Sequence, residues 1–486
     1  MNGSAPPRPL PVPLLDGFPA SARIVDLRRG RELGLDELKA RARRDAAALL
    51  ARGLAANTPV AIACRSGCDA LLALFAAWTA GLPAVLCSPG LTKEERKAVT
   101  ARTGARTWLG VEGSWDPGSP SDETPRGAAA ALTADAPALI LMTSGTTGAP
   151  KGVTHSLRGL EARLGANVER IGTADLERSL CVLPAFFGHG LIGNCLTPLA
   201  AGGNLLLMDS PDIPEIRALG GSIDRLGVTF LSSVPSFWRV ALRLSAPPTR
   251  APRRLHVGSE PLSLAHWQTI ARWSGTPGVH NMYGMTEAAN WIAGAGLAEA
   301  AGRDGHVGRP WGGALAVLDE GGRIATAGRG EVLIRSPSTM LGYFNDPAGT
   351  AAAFVDGWLR SGDLGELHAD GTLTLVGRLK SEINRAGVKI QPEEIEMLLE
   401  RHPAIAAACA FGVADAVGGE AVAAAIVPAA AGAPDLEAIR AWCRERIRPE
   451  AVPARLHAVD ALPRTERGKL DRLALSRRFE RGGATR

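Results

Sequence analysis

The sequence predicts an α/β protein. Its large N-terminal part is built of layered α/β sheets with a small β-barrel-like subdomain, and a small α+β part follows. Three observations carry this expectation. Apolar, strand-like runs alternate with helical stretches up to about Val307, the rhythm of α/β layers with parallel sheet. Beyond Val307 the texture changes to short runs separated by Gly-rich turns, which reads as antiparallel sheet or a small barrel. Beyond Arg378 a compact region carries helical patterns near Glu393–Arg401 and Asp435–Ile447. At 486 residues the chain is longer than one domain needs.

The elements follow in order. The runs Val60–Cys64, Ala84–Cys87, Ala138–Thr143, Leu180–Leu183, Asn204–Met208, Thr229–Ser232 and Arg254–Val257 are short and mostly apolar, as strands covered on both faces must be. Ala70 to Cys87 holds no charge and approaches the length of a membrane span, but Gly81-Leu82-Pro83 interrupts it. The expectation is therefore a buried helix over Asp69–Ala80 and a short strand over Pro83–Cys87, with no membrane partner. The later runs Ala314–Leu318, Glu331–Ile334 and Leu373–Val376 supply the β-rich part, and Ala429–Pro434 is a small-residue loop. No repeat of fixed period occurs.

Composition narrows the class. Hydrophobic residues make up 46% and charged residues 21%, which suits a soluble globular enzyme rather than a disordered chain or a membrane bundle. A net charge of +5 without clustering gives no nucleic-acid footprint. Cysteines 64, 68, 87, 181, 195, 409 and 443 show neither CxxC nor Cys/His spacing, which points to reduced thiols in the cytoplasm. Met1–Gly17 is Pro-rich without an apolar core, so no signal peptide is expected. Among 54 basic residues only seven are lysine: Lys39, Lys93, Lys97, Lys151, Lys380, Lys389 and Lys469. A compact ammonium and a planar guanidinium suit different tasks, so each lysine invites a question.

The most informative segment runs from Leu139 to Gly152. An apolar strand ends in Thr143-Ser144-Gly145-Thr146-Thr147-Gly148, and Lys151 follows. Glycines let a backbone approach an anion closely, while free N–H groups, four hydroxyls and one ammonium supply donors and charge. The Walker frame GxxxxGK[ST] does not fit. The string TSGTTGAPKG resembles the phosphate-loop signature of the adenylate-forming superfamily: acyl-CoA synthetases, aryl acid ligases, luciferases and adenylation domains of peptide synthetases. Further segments resemble the same superfamily in order: Tyr283-Gly-Met-Thr-Glu287, Ser361-Gly-Asp363, the stretch Gly377–Glu396, and Pro463-Arg-Thr-Glu-Arg-Gly-Lys469. The resemblance spans about Leu35 to Leu475.

The resemblance implies attack of a carboxylate on the α-phosphate of ATP, giving an acyl-adenylate and pyrophosphate. In that reading Thr143 to Gly148 wrap the phosphates and Lys151 neutralises them. Glu287 holds Mg²⁺, Thr286 contacts the α-phosphate, and Tyr283 stacks on adenine. Asp363 accepts from the ribose hydroxyls with Arg378 assisting, and Lys469 bridges carboxylate and α-phosphate. Taken singly, Tyr283 would be a core aromatic, Asp363 a turn residue, and Arg378 and Lys469 solvated charges; their joint occurrence in order is what points to a site. The resemblance further implies an N-terminal domain over 1–379, with 307–376 as its β-rich part. A mobile C-terminal domain over 380–486 would turn about a hinge at Lys380. After adenylation the turn at Gly387 would border the tunnel for the acceptor thiol, with Lys389 nearby. Ala386 departs from the second Gly common among relatives.

The acid pocket is expected around Phe187, His189, Phe237, Gly258, Ser259, Glu260, Asn281 and Gly284. Amino-acid-activating relatives place an Asp between the positions of Leu183 and Asn204 to pair the substrate ammonium; no Asp or Glu occurs there in this chain, so the resemblance implies an aryl or acyl acid rather than an α-amino acid. Phe187 falls where many relatives carry a gating His, with His189 two residues on. The same stretch, Gly188-His-Gly190-Leu-Ile-Gly193, fits a dinucleotide fingerprint. That match is discounted, because Pro184 lies in the entering strand and Pro198 would interrupt the helix. No carrier-protein site occurs in the chain, so a free-standing ligase is expected. Its acceptor is open: CoA, a separate phosphopantetheinyl carrier protein, or an amine. A non-catalytic nucleotide-binding relative is the remaining alternative. Nothing in the sequence speaks to oligomeric state.

Overall fold

The computed structural model describes residues 11–111, 132–143, 151–300, 302–385, 388–415, 419–429, 434–464 and 470–481. Two mixed sheets organise the larger part. The six-stranded sheet runs in the order Gly342–Tyr343, Lys151–Ser156, Pro137–Thr143, Ala84–Leu86, Val60–Ile62, Thr107–Leu109. Its last four strands are parallel, and Lys151–Ser156 turns back antiparallel to Pro137–Thr143. The eight-stranded sheet has parallel strands Val279–Met285, Arg254–Gly258, Phe230–Ser233, Arg178–Cys181, Asn204–Leu207 and Arg23–Asp26 at its centre, and antiparallel edges Asn290–Gly296 and Arg31–Gly34.

A layer of helices fills the space between these sheets. Helices Leu35–Ala51, Gly67–Thr79 and Leu157–Ile171 share one apolar core with Ile62, Leu86 and Leu139 of the first sheet and Leu205, Leu207 and Ile24 of the second. Helix Gly67–Thr79 is buried at every position. From Ala70 onward it belongs to the uncharged stretch of the sequence, and its lack of a polar face follows from contact with protein all round. Its one charge, Asp69, is met by both Nη atoms of Arg29 at 2.7 and 2.8 Å. Among the described residues no helix is long and apolar enough to cross a membrane.

Outside the eight-stranded sheet, helices Pro235–Leu244 and Leu264–Ser274 bury Trp238, Trp267 and Trp273. The β-rich part is an antiparallel sheet in the order His306–Gly308, Leu373–Arg378, Trp358–Leu367, Gly328–Arg335, Ala314–Leu318, Ile324–Ala325. Its two edge strands do not pair with each other among the described residues. The C-terminal sheet, Val388–Ile390, Ile383–Arg385, Gly419–Pro428 and Ile405–Asp415, has its own core. Helices Pro392–Leu399 and Leu436–Arg444 pack on one face and Arg472–Arg481 on the other.

Two expectations change. The strand expected over Leu180–Leu183 runs from Arg178 to Cys181. It stops there because the Cys181 carbonyl takes the N–H groups of Met208 and Asp209, at 3.0 and 2.9 Å, as the chain leaves the sheet. Pro198 does not break the helical stretch either. Residues His189–Leu196 form wide π-type turns and Pro198 opens the α-turn Thr197–Ala200. Thr197 supplies both its N–H and its hydroxyl to the Ile192 carbonyl, so the donor that proline lacks is made up next door. All seven cysteines are buried and free.

Candidate active site

The loop Ser144, Gly145, Thr146, Thr147, Gly148 lies outside the described residues, but both of its anchors are described. Thr143 and Lys151 face each other across the antiparallel pair, and Thr143 Oγ1 donates to the Lys151 carbonyl at 3.3 Å. The hairpin is held from its other side by Gly342–Tyr343, with Phe344 N–H on the Gly152 carbonyl at 2.7 Å. This brings the Tyr343 ring under the Lys151 ammonium, 4.3 Å from Nζ to the ring centroid. The Tyr343 hydroxyl donates to Glu287 Oε1 at 3.0 Å. Burial and the Glu287 carboxylate both push the phenol's pKa up, so it stays a donor.

Glu287 sits in the one-turn 3₁₀ helix Thr286–Ala288 that closes strand Val279–Met285. Two bonds fix its backbone: Met340 N–H to the Glu287 carbonyl, and His155 Nε2 to the Thr286 carbonyl, both 2.8 Å. His155 is fully buried, which lowers its pKa to about 4 and keeps it neutral. The same strand carries Tyr283, whose hydroxyl donates to Asp363 Oδ2 at 2.8 Å. The other oxygen of Asp363 takes Arg378 Nε at 2.7 Å. Asp363 and Arg378 are direct partners in the antiparallel sheet, so the ion pair is built into its register. Asp363 is buried while the Arg378 side chain is half exposed. Gly362 turns with φ +71°, and its N–H is held by Glu331 at 3.0 Å. One strand and its terminal turn thus join two clusters, Lys151–Tyr343–Glu287 and Tyr283–Asp363–Arg378.

The expected acid pocket is only partly assembled. His189 bridges two serines, Nδ1 to Ser259 Oγ at 2.9 Å and Nε2 to Ser232 Oγ at 2.8 Å, with its ring edge-on to Trp291. Burial lowers its pKa to about 3, so it is a neutral hydrogen-bonding group. Ser259 has φ +69°, a left-handed conformation that aims its hydroxyl at His189. Glu260 next to it accepts from Ser236 N–H and Oγ–H at 3.1 and 2.8 Å. Phe187 is half-buried and Phe237 packs at the outer core. Gly258 approaches Met282, and Gly284 approaches Asn290 and Trp291, too closely for a side chain.

Asn281 departs from its assignment. Its amide donates to the His306 carbonyl at 3.0 Å, and it pairs with Val257, on the face opposite to His256, Ser232 and His189. Side chains alternate along a strand, so Asn281 and Met282 look in opposite directions. Sequence reasoning missed Tyr343, Trp291, His155 and Asn290, a buried residue at φ +101° whose Nδ2 has no partner among the described residues. Lys380 lies in the short turn Leu379–Ser381, between the β-rich sheet and the C-terminal sheet. Lys389 reaches Glu382 at 3.7 Å and is exposed. Gly387 and Lys469 lie outside the described residues. Arg464 and Leu470, which bracket the segment bearing Lys469, are bridged to each other. Among the described residues no cluster of three or more His, Cys, Asp or Glu side chains could hold a metal alone.

Comparison with known proteins agrees with this architecture. The family described as AMP-binding enzyme matches residues 16–344, and the AMP-binding enzyme C-terminal domain matches 394–469. A sulfoacetate–CoA ligase of Cupriavidus necator is 37% identical over 70% of this chain and 67% of its own length. An oxalate–CoA ligase of Arabidopsis thaliana is 34% identical over 70% and 67%. Among solved structures, an O-succinylbenzoate coenzyme A synthetase of Bacillus subtilis with ATP and magnesium ion superposes with TM-score 0.81, at 26% identity over 96% of this chain and 99% of that one. An amide bond synthetase of Marinactinospora thermotolerans gives 0.82, at 27% identity over 96% and 98%.

Proposed function

This chain belongs to the AMP-binding enzyme family and is an AMP-forming acid–thiol ligase; from that premise we propose that it activates an aryl or acyl acid, not an α-amino acid, and passes it to CoA. The observation that carries the reading is the run of groups along Val279–Ala288. Lys151 and Glu287 meet at the Tyr343 ring and hydroxyl, and the Asp363–Arg378 pair meets the Tyr283 hydroxyl, which suits phosphate and metal at the first cluster and the ribose at the second.

The residues work as follows. Thr143 and the 144–148 loop present N–H and hydroxyl donors to the phosphates, with the Lys151 ammonium against them. Asp363 accepts from the ribose diol, and Arg378 Nε fixes one of its carboxylate oxygens. Glu287 is a hard oxygen donor whose Oε1 is held by the Tyr343 phenol, and its Oε2 has no hydrogen bond among the described residues, which suits Mg²⁺. When bound, Mg²⁺ would neutralise charge on the phosphate oxygens. A carboxylate oxygen of the acid attacks the α-phosphorus, the bond from that phosphorus to the bridging oxygen breaks, and pyrophosphate leaves. Thr286 and Lys469 steady the α-phosphate as two anions meet. The domain 380–486 then turns at Lys380, withdrawing Lys469. Gly387 and Lys389 come to the site, where the thiol displaces AMP. Neutral His189 and its serines orient the acid and offer no carboxylate to an amino group.

Carboxylate-dependent exchange of pyrophosphate into ATP tests the first step. Folded protein that exchanges with no acid of a broad panel would overturn the reading. Mass analysis of the product with CoA, holo carrier protein or amines then assigns the acceptor. The likeness to an amide bond synthetase is the reason to include amines.

A further inference from the structure

Four charged side chains cross between the larger part and the C-terminal part, near the Gly258–Glu260 turn. Arg464, beside the segment bearing Lys469, donates through Nη1 to Glu260 Oε1 at 3.2 Å. Arg239 of helix Pro235–Leu244 lies 3.9 Å from the other oxygen of Glu260 and donates to Glu400 Oε1 at 2.8 Å. Glu400 caps the C-terminal end of helix Pro392–Leu399 and also accepts Ala408 N–H. The order is cation, anion, cation, anion, with side-chain exposures of 27, 11, 20 and 13%. Next to it, Arg401 pairs with Asp304, whose other oxygen accepts Leu264 N–H at 2.7 Å.

Solvated surface pairs contribute little, but these charges are largely out of water, and removing one leaves its neighbour buried and unpaired. Each end of the chain has a functional attachment. Glu260 follows Ser259, whose hydroxyl holds His189, so the grip falls on the turn that shapes the acid pocket. Arg464 and Leu470 bridge the base of the segment 465–469. Glu400 ends the first helix after the 379–381 turn, so it reports the orientation of the whole C-terminal part.

We propose that Arg239 and Arg464 are positioning residues for adenylation: with Glu260 and Glu400 they latch the C-terminal part against the Gly258–Glu260 turn in the orientation used for adenylation, and the latch must open before thioester formation. This rests on the two-step reading above. Three consequences follow. Loss of Arg464 slows the first step and spares the second. Loss of Arg239 does the same, because it severs Glu400 from Glu260. High salt weakens the latch only partly, since its members are shielded.

The test reads orientation and activity separately. All native cysteines are buried, so spin labels can be directed to Ile213→Cys and Leu473→Cys, two exposed positions on either side of the interface. The otherwise unaltered chain should give one dominant distance. Arg464→Ala and Arg239→Ala should each broaden it or add a second population, and Arg464→Lys should restore it partly. In the same variants pyrophosphate exchange should fall at least tenfold. Thioester formation from supplied acyl-adenylate and CoA should stay within about twofold or rise. An unchanged distance distribution, or equal loss in both half-reactions, overturns the latch. Absence of exchange in the unaltered chain instead overturns the adenylation reading, and the distance result still judges the latch.

Discussion

Both tyrosines of this chain hold a carboxylate of the proposed site. Tyr283 donates to Asp363 and Tyr343 to Glu287. A phenol gives a directed donor that stays protonated beside an anion, so each carboxylate keeps one oxygen fixed. Asp363→Asn keeps the volume but removes the charge facing Arg378. Charged hydrogen bonds contribute about 1.5–3 kcal/mol, so the KM for ATP should rise about tenfold or more, with a smaller change in kcat; steady-state kinetics decide. Tyr343→Phe frees Glu287 without touching it. The Mg²⁺ concentration for half-maximal exchange should rise about tenfold at unchanged fold, and a titration showing no shift would sever Tyr343 from the metal site. Tyr283 was found through the segment it shares with Glu287, whereas Tyr343 lies in no such segment. What hid Tyr343 was distance: it reaches Glu287 from 56 residues away, on a two-residue strand with no period to read. Lysine scarcity was a partial guide. Lys151 lies at the loop, whereas Lys39 and Lys97 merely pair with Asp16 and Glu94.

At the scale of elements, legibility followed periodicity. Central strands such as Val60–Ile62, Ala84–Leu86 and Arg254–Gly258 were readable as apolar runs because they are buried, whereas Arg23–Asp26, Thr107–Leu109 and Lys151–Ser156, which are mixed in composition, were not. The faces of those strands were not read. Asn281 donates to the His306 carbonyl on the sheet face opposite to His256, which the sequence does not reveal. The wide helix His189–Leu196 was hidden because its neighbouring proline argued for a break. Its geometry makes a testable contrast between two helical glycines. A Cβ on Gly165, exposed in helix Leu157–Ile171, meets nothing within 4 Å. Gly165→Ala should therefore stabilise by about 0.5–1 kcal/mol through helix propensity. A Cβ on Gly190 would collide with the Pro184 carbonyl oxygen. Gly190→Ala must move the backbone that aims His189, and should cost about 1–3 kcal/mol and much of the exchange activity. Denaturant midpoints of the two variants should move in opposite directions; a shared direction would refute the account of this turn.

Across the whole molecule, the layered fold buries imidazoles where the sequence shows only scattered histidines. His155, His189 and His256 are buried and His266 and His280 half-buried; desolvation holds His155, His266 and His280 down to about 4, His189 to about 3, and His256 well below the ordinary value. Each binds a proton more readily unfolded than folded. Their stabilising contribution is therefore present above the unfolded pKa of about 6.5 and is lost as pH falls through the window down to the folded values. At about pH 5 the loss is roughly 2 kcal/mol for each fully buried imidazole. Three carboxyls oppose this, since burial raises Glu396 to about 8 and raises Glu400 and Asp209 as well, easing protonation of the folded state. Five histidines outweigh three carboxyls, so the urea midpoint should fall steeply between about pH 6.5 and pH 5, above the range where ordinary carboxylates titrate. His256 isolates the cause. Neither of its ring nitrogens has a partner among the described residues, and it packs edge-on against Phe230 and Trp291. His256→Leu thus removes one titrating group without breaking a hydrogen bond, and the midpoint of that variant should fall less steeply with pH. A midpoint flat across the window, or a slope unchanged in His256→Leu, would mean that these imidazoles are protonated in the folded chain.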